Sequence, residues 1–225
     1  MKISEKRLAK LKRAAANRQF DLTVVLEHLT DGHNIGAILR SCEAIGIQTV
    51  YIVPHPDPKW RRNFVLGKRT TAGSRKWLSV YTFDDIEGCL DHLKTQGFTI
   101  YSTALGPTAK SVYDLNLLEK TAIVLGNEKK GVSEKALELS DGNILIPMQG
   151  MMQSLNVSVA CSVILFEAMR QRLLAGKYIT EEQIAEADGI ISGTAERKEL
   201  MADFLDRHQN RYQGKQLKDA GDLLL

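Results

Sequence analysis

The feature that most constrains this chain is a set of short runs that stay apolar without alternation. Leu22-Thr23-Val24-Val25-Leu26, Thr49-Val50-Tyr51-Ile52-Val53, Phe98–Ser102 and Thr121–Leu125 give water no face to wet. Strands of that kind need cover on both sides. Between them the period changes to that of a helix. Asn34–Ile45 spaces Ile35, Ile38, Leu39 and Cys42 along one helical face, with Gly46 as the stop. A second helix opened by Asp84-Asp85 buries Ile86, Cys89, Leu90 and Leu93 and ends at Gly97. Such an alternation predicts an α/β fold with a mainly parallel sheet, whose ligands sit beyond the carboxyl ends of the strands.

The remaining elements follow the same logic. Residues 4–19 form a basic helix with Leu8, Leu11 and Ala15 on one stripe, and a further unit starts at Trp77–Tyr81. A short helix begins at Ser133, a strand covers Asn143–Ile146, and a long helix runs from near Leu155, capped by Ser154, to near Gly176. That last helix is apolar or small on nearly every face, which predicts burial inside the domain, in a subunit interface, or both. The tail from Thr180 is helical and charged, with a Thr180–Gln183 capping box and no strand pattern.

Size and charge narrow the class. A chain of 225 residues, 44% hydrophobic and 25% charged, suits one core domain with terminal extensions. No apolar run reaches the roughly 18 residues of a membrane span, and Met1–Arg7 lacks the apolar stretch of a secretory signal. Cys42, Cys89 and Cys161 are odd in number, far apart and set among apolar residues, so they read as reduced core thiols of a cytoplasmic protein, with no metal site. The net charge of +3 is unevenly spread. Residues 1–20 hold seven Lys/Arg against Glu5 alone, and residues 59–76 hold another seven with no acid. Either cluster alone fits a solvated face, whereas two beside one apolar core point toward nucleic acid.

Common chemistries are excluded by their missing parts. There is no dinucleotide fingerprint, no zinc-protease pair and no nucleophile elbow. Gly126-Asn127-Glu128-Lys129-Lys130-Gly131 has the glycine spacing of a phosphate loop, yet Val132-Ser133 stands where the phosphate-binding lysine is required. Three stretches remain that propensity does not explain. His33-Asn34-Ile35-Gly36-Ala37-Ile38-Leu39-Arg40 lays an arginine back over small residues. Ile123–Glu128 ends a strand in a glycine where backbone can approach a ligand. Ile146–Val157 runs from a strand through a methionine-rich loop to Ser154 and Asn156, and the free N–H groups of the helix that follows favour a carboxylate or phosphate.

Those stretches, in that order, resemble the three motifs of the SPOUT RNA methyltransferases, and their flanks Arg18–Val25, Ala72–Trp77 and Ile146–Ala160 are similar to the TrmH family within that group. The likeness runs from about residue 15 to about residue 176 and is loose in residues 1–14 and after Gly176. It implies a parallel-sheet fold with a deep trefoil knot near residues 121–176, inside a methyltransferase domain of residues 21–176. Helical extensions at 1–20 and 177–225 flank that domain and help select tRNA. It implies an obligate homodimer, S-adenosyl-L-methionine as cofactor, and 2′-O-methylation of the D-loop guanosine at position eighteen of tRNA. Carried over by position, the cofactor's neighbours are Thr103, Gly126, Ile146 and Leu155. Arg40 has the central catalytic role, supported by Asn34, Ser154 and Asn156 with Glu128 beside them, and Arg18, His33, Arg170 and Arg172 contact RNA. The reference pKa of arginine exceeds about 12, so Arg40 is either a strongly perturbed base helped by an RNA phosphate or an electrostatic clamp on the developing alkoxide.

Three other readings compete. A ribosomal-RNA methyltransferase of the same group often carries an extra N-terminal domain, and about 20 residues before the first strand cannot make one. A catalytically silent RNA-binding module has no need of Arg40, Ser154 and Asn156 together. A nucleotide-binding α/β protein leaves the basic N-terminus without a purpose.

Overall fold

The computed structural model describes residues 3–57, 59, 73–186, 195–209 and 218–219. Most of the second basic island lies outside them. Among the described residues the chain forms one parallel sheet of eight strands: β1 (Leu22–Glu27), β2 (Thr49–Val53), β3 (Ser79–Thr82), β4 (Thr99–Thr103), β5 (Lys110–Ser111), β6 (Thr121–Leu125), β7 (Gly142–Leu145) and β8 (Lys218–Asp219). Their spatial order is β5-β7-β4-β6-β1-β2-β3-β8. β1 lies between β2 and β6, with Val24 opposite both Val50 and Ile123. Neither β5 nor β8 was expected. Each has only two residues, too few for any period to register, so the tail does contribute a strand, paired to β3.

Both faces of the sheet are covered, as the unbroken apolar runs require. Leu22, Val24 and Leu26 of β1 point to one side, where they meet α2 (Gly32–Ile45) and α5 (Val157–Leu174). Val25 points to the other, against α3 (Ile86–Thr95) and Ala136 of α4 (Glu134–Leu139). Each fully buried Val, Leu or Ile contributes about 1.5–3 kcal/mol relative to its exposed state. A third cluster joins Leu11, Ala15 and Ala16 of α1 (Glu5–Ala16) to Leu200 and Phe204 of the C-terminal helix, Ala195–Gln209. Helix α6 (Glu181–Glu186) opens on the expected box: Thr180 N–H donates to Gln183 Oε1 at 2.9 Å, and Gln183 N–H to Thr180 Oγ1 at 3.3 Å. The C-terminal helix is accordingly α7.

The ends of the helices explain two residue choices. Gly46 closes α2 at φ +89°, and a Cβ there would sit 2.5 Å from the Asn17 carbonyl oxygen, so only glycine fits. Asn156, not Ser154, caps α5: its Oδ1 accepts from Ser158 N–H at 2.9 Å, and the helix begins at Val157. Asparagine and serine are comparable caps, so residue type alone did not separate them. Nor is α5 buried all round in the single chain. Val159, Phe166 and Leu173 are 47%, 52% and 51% exposed along one side of it.

Candidate active site at the strand ends

The motif stretches meet at the carboxyl ends of the central strands. α2 starts just after β1, with Asp31 capping it by accepting from His33 N–H at 2.7 Å. This sets Asn34 in the first turn, facing the start of α5. Asn34 Nδ2 donates to Glu128 Oε1 at 3.0 Å, and Asn156 Nδ2 donates to Asn34 Oδ1 at 3.1 Å. Asn156 in turn accepts from Ser158 Oγ at 2.6 Å. One hydrogen-bonded chain therefore links Glu128, Asn34 and Asn156, one residue from each stretch. Two turns further along, Ser41 Oγ and Ser162 Oγ lie 2.8 Å apart, so small polar residues continue the α2–α5 contact.

Arg40 does not join that chain. It is exposed and forms no hydrogen bond or ion pair among the described residues. His33 and Arg40 stand seven residues apart, so they share one stripe of α2 about 10.5 Å apart along its axis. Gly36, buried, and Ala37, half-buried, lie between them, so the stripe is low there. Ser154 is exposed and lies two residues before the cap.

The four residues expected near a cofactor lie on adjacent elements. Thr103 ends β4, Gly126 follows β6 and Ile146 follows β7, and these three strands are neighbours in the sheet. Thr103 Oγ1 donates to the Val124 carbonyl at 3.0 Å, tying β4 to β6 at this end. Leu155 stands at the far end of the loop, 37% exposed. Among the described residues the main-chain groups of 146–155 make no hydrogen bonds, while Met151 and Met152 are exposed. A loop with free amides and carbonyls and apolar side chains fits an adenosyl ligand read by main-chain contacts. Gly126 has another reason to be glycine than ligand approach. A Cβ there would lie 2.1 Å from Gly131 C and Val132 N, so the returning Asn127–Gly131 turn already fills that space.

Two expected RNA contacts are interior. Arg172 is fully buried. Its guanidinium donates to the carbonyls of Leu117 (3.0 Å), Asp21 (3.2 Å) and Glu119 (3.1 Å), to Gln19 Oε1 (2.9 Å), and to the Asp21 carboxylate. Arg18 is also buried, donating to the Ile47 carbonyl at 2.7 Å beneath the Phe204 ring. Burial lowers its pKa to about 10, against the opposing pull of Glu43. Both guanidiniums lie inside the fold: Arg172 meets internal oxygens with its donors, whereas the buried Nε of Arg18 has no partner among the described residues. Arg170 and His33 are exposed. Arg170 forks onto Glu167 through two contacts of 2.8 Å. That hydrogen bonding draws the Glu167 carboxyl below its usual pKa despite its burial.

Several positioning residues escaped the sequence reading. Asn127 Nδ2 donates to the His28 carbonyl at 2.8 Å, and its Oδ1 accepts from Lys129 N–H and Lys130 N–H. Glu27, fully buried at the end of β1, accepts from Ser133 N–H at 2.8 Å and Ser133 Oγ at 2.5 Å and so anchors α4. An asparagine right after a strand and glycine is a turn signal that could have found the first. A glutamate ending an apolar strand gives no comparable cue.

Residues 21–166 match the SpoU rRNA Methylase family. A tRNA (guanosine(18)-2′-O)-methyltransferase of Thermus thermophilus is 45% identical over 175 residues, spanning 78% of this chain and 88% of that protein. The crystal structure of the TrmH/SpoU tRNA modifying enzyme of A. aeolicus superposes with a TM-score of 0.72 at 34% identity, covering 89% of this chain and 98% of the other. The SpoU methyltransferase AviRb of Streptomyces viridochromogenes, solved in complex with the cofactor AdoMet, has a TM-score of 0.60 at 27% identity, covering 69% and 62%.

Proposed function

The chain belongs to the SpoU rRNA Methylase family, and on that premise we propose that it is a tRNA (guanosine(18)-2′-O)-methyltransferase using S-adenosyl-L-methionine. The observation that carries this reading is the Glu128–Asn34–Asn156 chain, which ties the three motif stretches together beside the ends of β4, β6 and β7. The relatives named for the same reaction match over more than three quarters of this chain.

When bound, S-adenosyl-L-methionine supplies an electrophilic methyl on a sulfonium. The protein's share is to bring the ribose 2′-hydroxyl in line with that methyl and to stabilise the charge that grows on oxygen as its proton leaves. Thr103, Gly126, Ile146 and Leu155 hold the cofactor, chiefly through main-chain groups at the strand ends. Asn34 and Asn156, each locked by its neighbour, set the rim of the site, and Glu128 fixes Asn34's orientation. Arg40 works as the electrostatic clamp. With no internal carboxylate to satisfy it among the described residues, its guanidinium is open to the alkoxide and the adjoining phosphate. Ser154 lines the loop opposite. His33, on the same stripe as Arg40, and Arg170 meet RNA.

The same reading assigns residues 21–176 to the catalytic unit and gives residues 1–20 and 177–225 to tRNA selection in the cytoplasm. It also takes the segment near 121–176 as a trefoil knot, in keeping with the packing of α5 against α2 after the 146–156 loop. The exposed Val159–Phe166–Leu173 side of α5 supports a homodimer, since a face of that kind is rarely left to water.

The test is transfer of labelled methyl from S-adenosyl-L-methionine to unmodified tRNA and, separately, to ribosomal RNA. Label confined to tRNA supports the proposal. Label confined to ribosomal RNA would move the chain to the other branch of its family.

A further inference from the structure

The Asn127–Gly131 turn serves two places. It directs Glu128 to Asn34, and it lends Asn127, Lys129 and Lys130 to a cleft of about 690 Å³ at the ends of β1 and β2, shared with His28, Thr30 and His55. Apart from Asn127, which shapes the turn, none of these residues belongs to the methyl-transfer group described above.

Its walls are built rather than incidental. His28 has φ 56°, and among the described residues it is the one non-glycine in the left-handed region. A conformation of that kind persists where neighbours over-determine it. Here His28 N–H donates to the Val53 carbonyl at 2.9 Å, and the His28 carbonyl accepts from Asn127 Nδ2 at 2.8 Å. The strained backbone delivers the imidazole edge-to-face against His55, with ring centroids 5.4 Å apart. His55 Nδ1 accepts from Asp57 N–H at 3.0 Å, so the neutral ring carries its proton on Nε2. Burial lowers the His28 pKa, Glu27 works against this, and His55 and Lys130 add to the lowering. At neutral pH the cleft therefore presents the neutral His28 ring beside two exposed ammonium groups, the Thr30 hydroxyl and one carboxylate, Asp57, whose single charge the two lysines outnumber.

A ring for stacking next to cations for a phosphate is how proteins hold an unstacked nucleotide. The volume falls within the roughly 300–1,000 Å³ of ordinary ligand sites. Because Glu128 and the two lysines sit on one five-residue turn, whatever occupies the cleft is a close neighbour of whatever reacts beside Asn34. We propose that this cleft is a nucleotide subsite, taking the base and phosphate of a single-stranded RNA residue that flanks the methylated one. The inference rests on the RNA methyltransferase reading above. In it His28 supplies the stacking face, and Lys129 and Lys130 neutralise the phosphate.

The test uses the full chain with two substitutions. His28→Asn keeps a residue that tolerates the left-handed backbone while removing the ring, and Lys130→Ala removes an exposed charge. Binding of unmodified tRNA is measured across a salt series, together with KM for tRNA and cofactor affinity. Both variants are expected to bind tRNA about tenfold more weakly, as loss of a stacked base or a phosphate contact implies, with KM rising in parallel and cofactor affinity unmoved. Lys130→Ala lowers the slope of log affinity against log salt by about one, and His28→Asn leaves it unchanged. Wild-type tRNA affinity and KM in both variants, with the wild type methylating tRNA, would overturn the subsite and leave the proposed reaction standing. Weakened RNA binding in the variants of a protein whose wild type does not methylate tRNA would do the reverse. Guanosine monophosphate binding at micromolar levels, lost in both variants without any change in tRNA affinity, would overturn the RNA assignment in favour of a free nucleotide.

Discussion

Replacing Arg172 with methionine tests whether this arginine belongs to the interior or to the RNA surface. Methionine keeps most of the side chain's length and removes five donors. The carbonyls of Leu117, Asp21 and Glu119 and the amide oxygen of Gln19 lose a partner, and the Asp21 carboxylate keeps Lys177, at 2.7 Å. Breaking a buried charge pair from one side costs about 3–5 kcal/mol. The surviving Lys177 contact, about a third open to solvent, keeps the cost near the lower end of that range. For a chain of this size each kcal/mol moves the melting temperature by about 2–4 °C, so a drop of roughly 6–12 °C is expected. Thermal unfolding followed by circular dichroism at fixed protein concentration reads it, with tRNA affinity measured well below the transition. An unchanged melting temperature together with tRNA binding weakened tenfold or more would refute the reasoning and return Arg172 to the RNA surface.

Other outcomes follow from the same contacts. Burial raises the Asp21 pKa, but hydrogen bonds from Lys177 and Arg172 outweigh it and hold the folded value below the usual one. Its contribution to stability is therefore complete above the unfolded pKa of about 3.9 and is lost as pH falls through the folded value. Asp21→Asn should lower stability at neutral pH and flatten its loss below pH ~4 in acid titrations of unfolding. Asn34→Ala and Asn156→Ala should each slow methyl transfer by about 10²-fold, the scale of a small misplacement at a reacting centre. The double variant should be little worse than either, because both break one chain; additive losses would show that they act separately. Gly126→Ala forces a Cβ into the Gly131–Val132 backbone, so it should destabilise the protein by more than about 3 kcal/mol and weaken the cofactor site, read by denaturant unfolding and calorimetry.

The sheet was legible because its strands carry a physical signature. Runs such as Thr121–Leu125 have no polar alternation and need helices on both faces, which is what α2, α5, α3 and α4 supply. Gly46 and Gly97 marked helix ends by the backbone they alone adopt without strain, at φ +89° and +79°. The two-residue strands β5 and β8 left no trace because two residues have no period. Within the candidate site, Asn34, Glu128 and Asn156 were grouped through the resemblance of their three stretches to known motifs, and the fold joins them by hydrogen bonds. The burial of Arg18 and Arg172 was not legible, because an arginine's charge suggests solvent or phosphate. Only long-range structure reveals carbonyls from distant loops turned inward to meet it. His28 was invisible for a related reason, since its left-handed backbone depends on Asn127, ninety-nine residues away.

The central claim is that the Arg40 side of the Asn34–Glu128–Asn156 site transfers a methyl group to a tRNA ribose. The most direct measurement maps the methylated nucleotide in unmodified tRNA after incubation with S-adenosyl-L-methionine, for wild type and Arg40→Ala in parallel, with cofactor affinity measured for both. The expected result is 2′-O-methylguanosine at position eighteen from the wild type, and loss of it in Arg40→Ala with cofactor affinity intact. Methylation at that position undiminished in Arg40→Ala, or none in the wild type despite cofactor and tRNA binding, would contradict it.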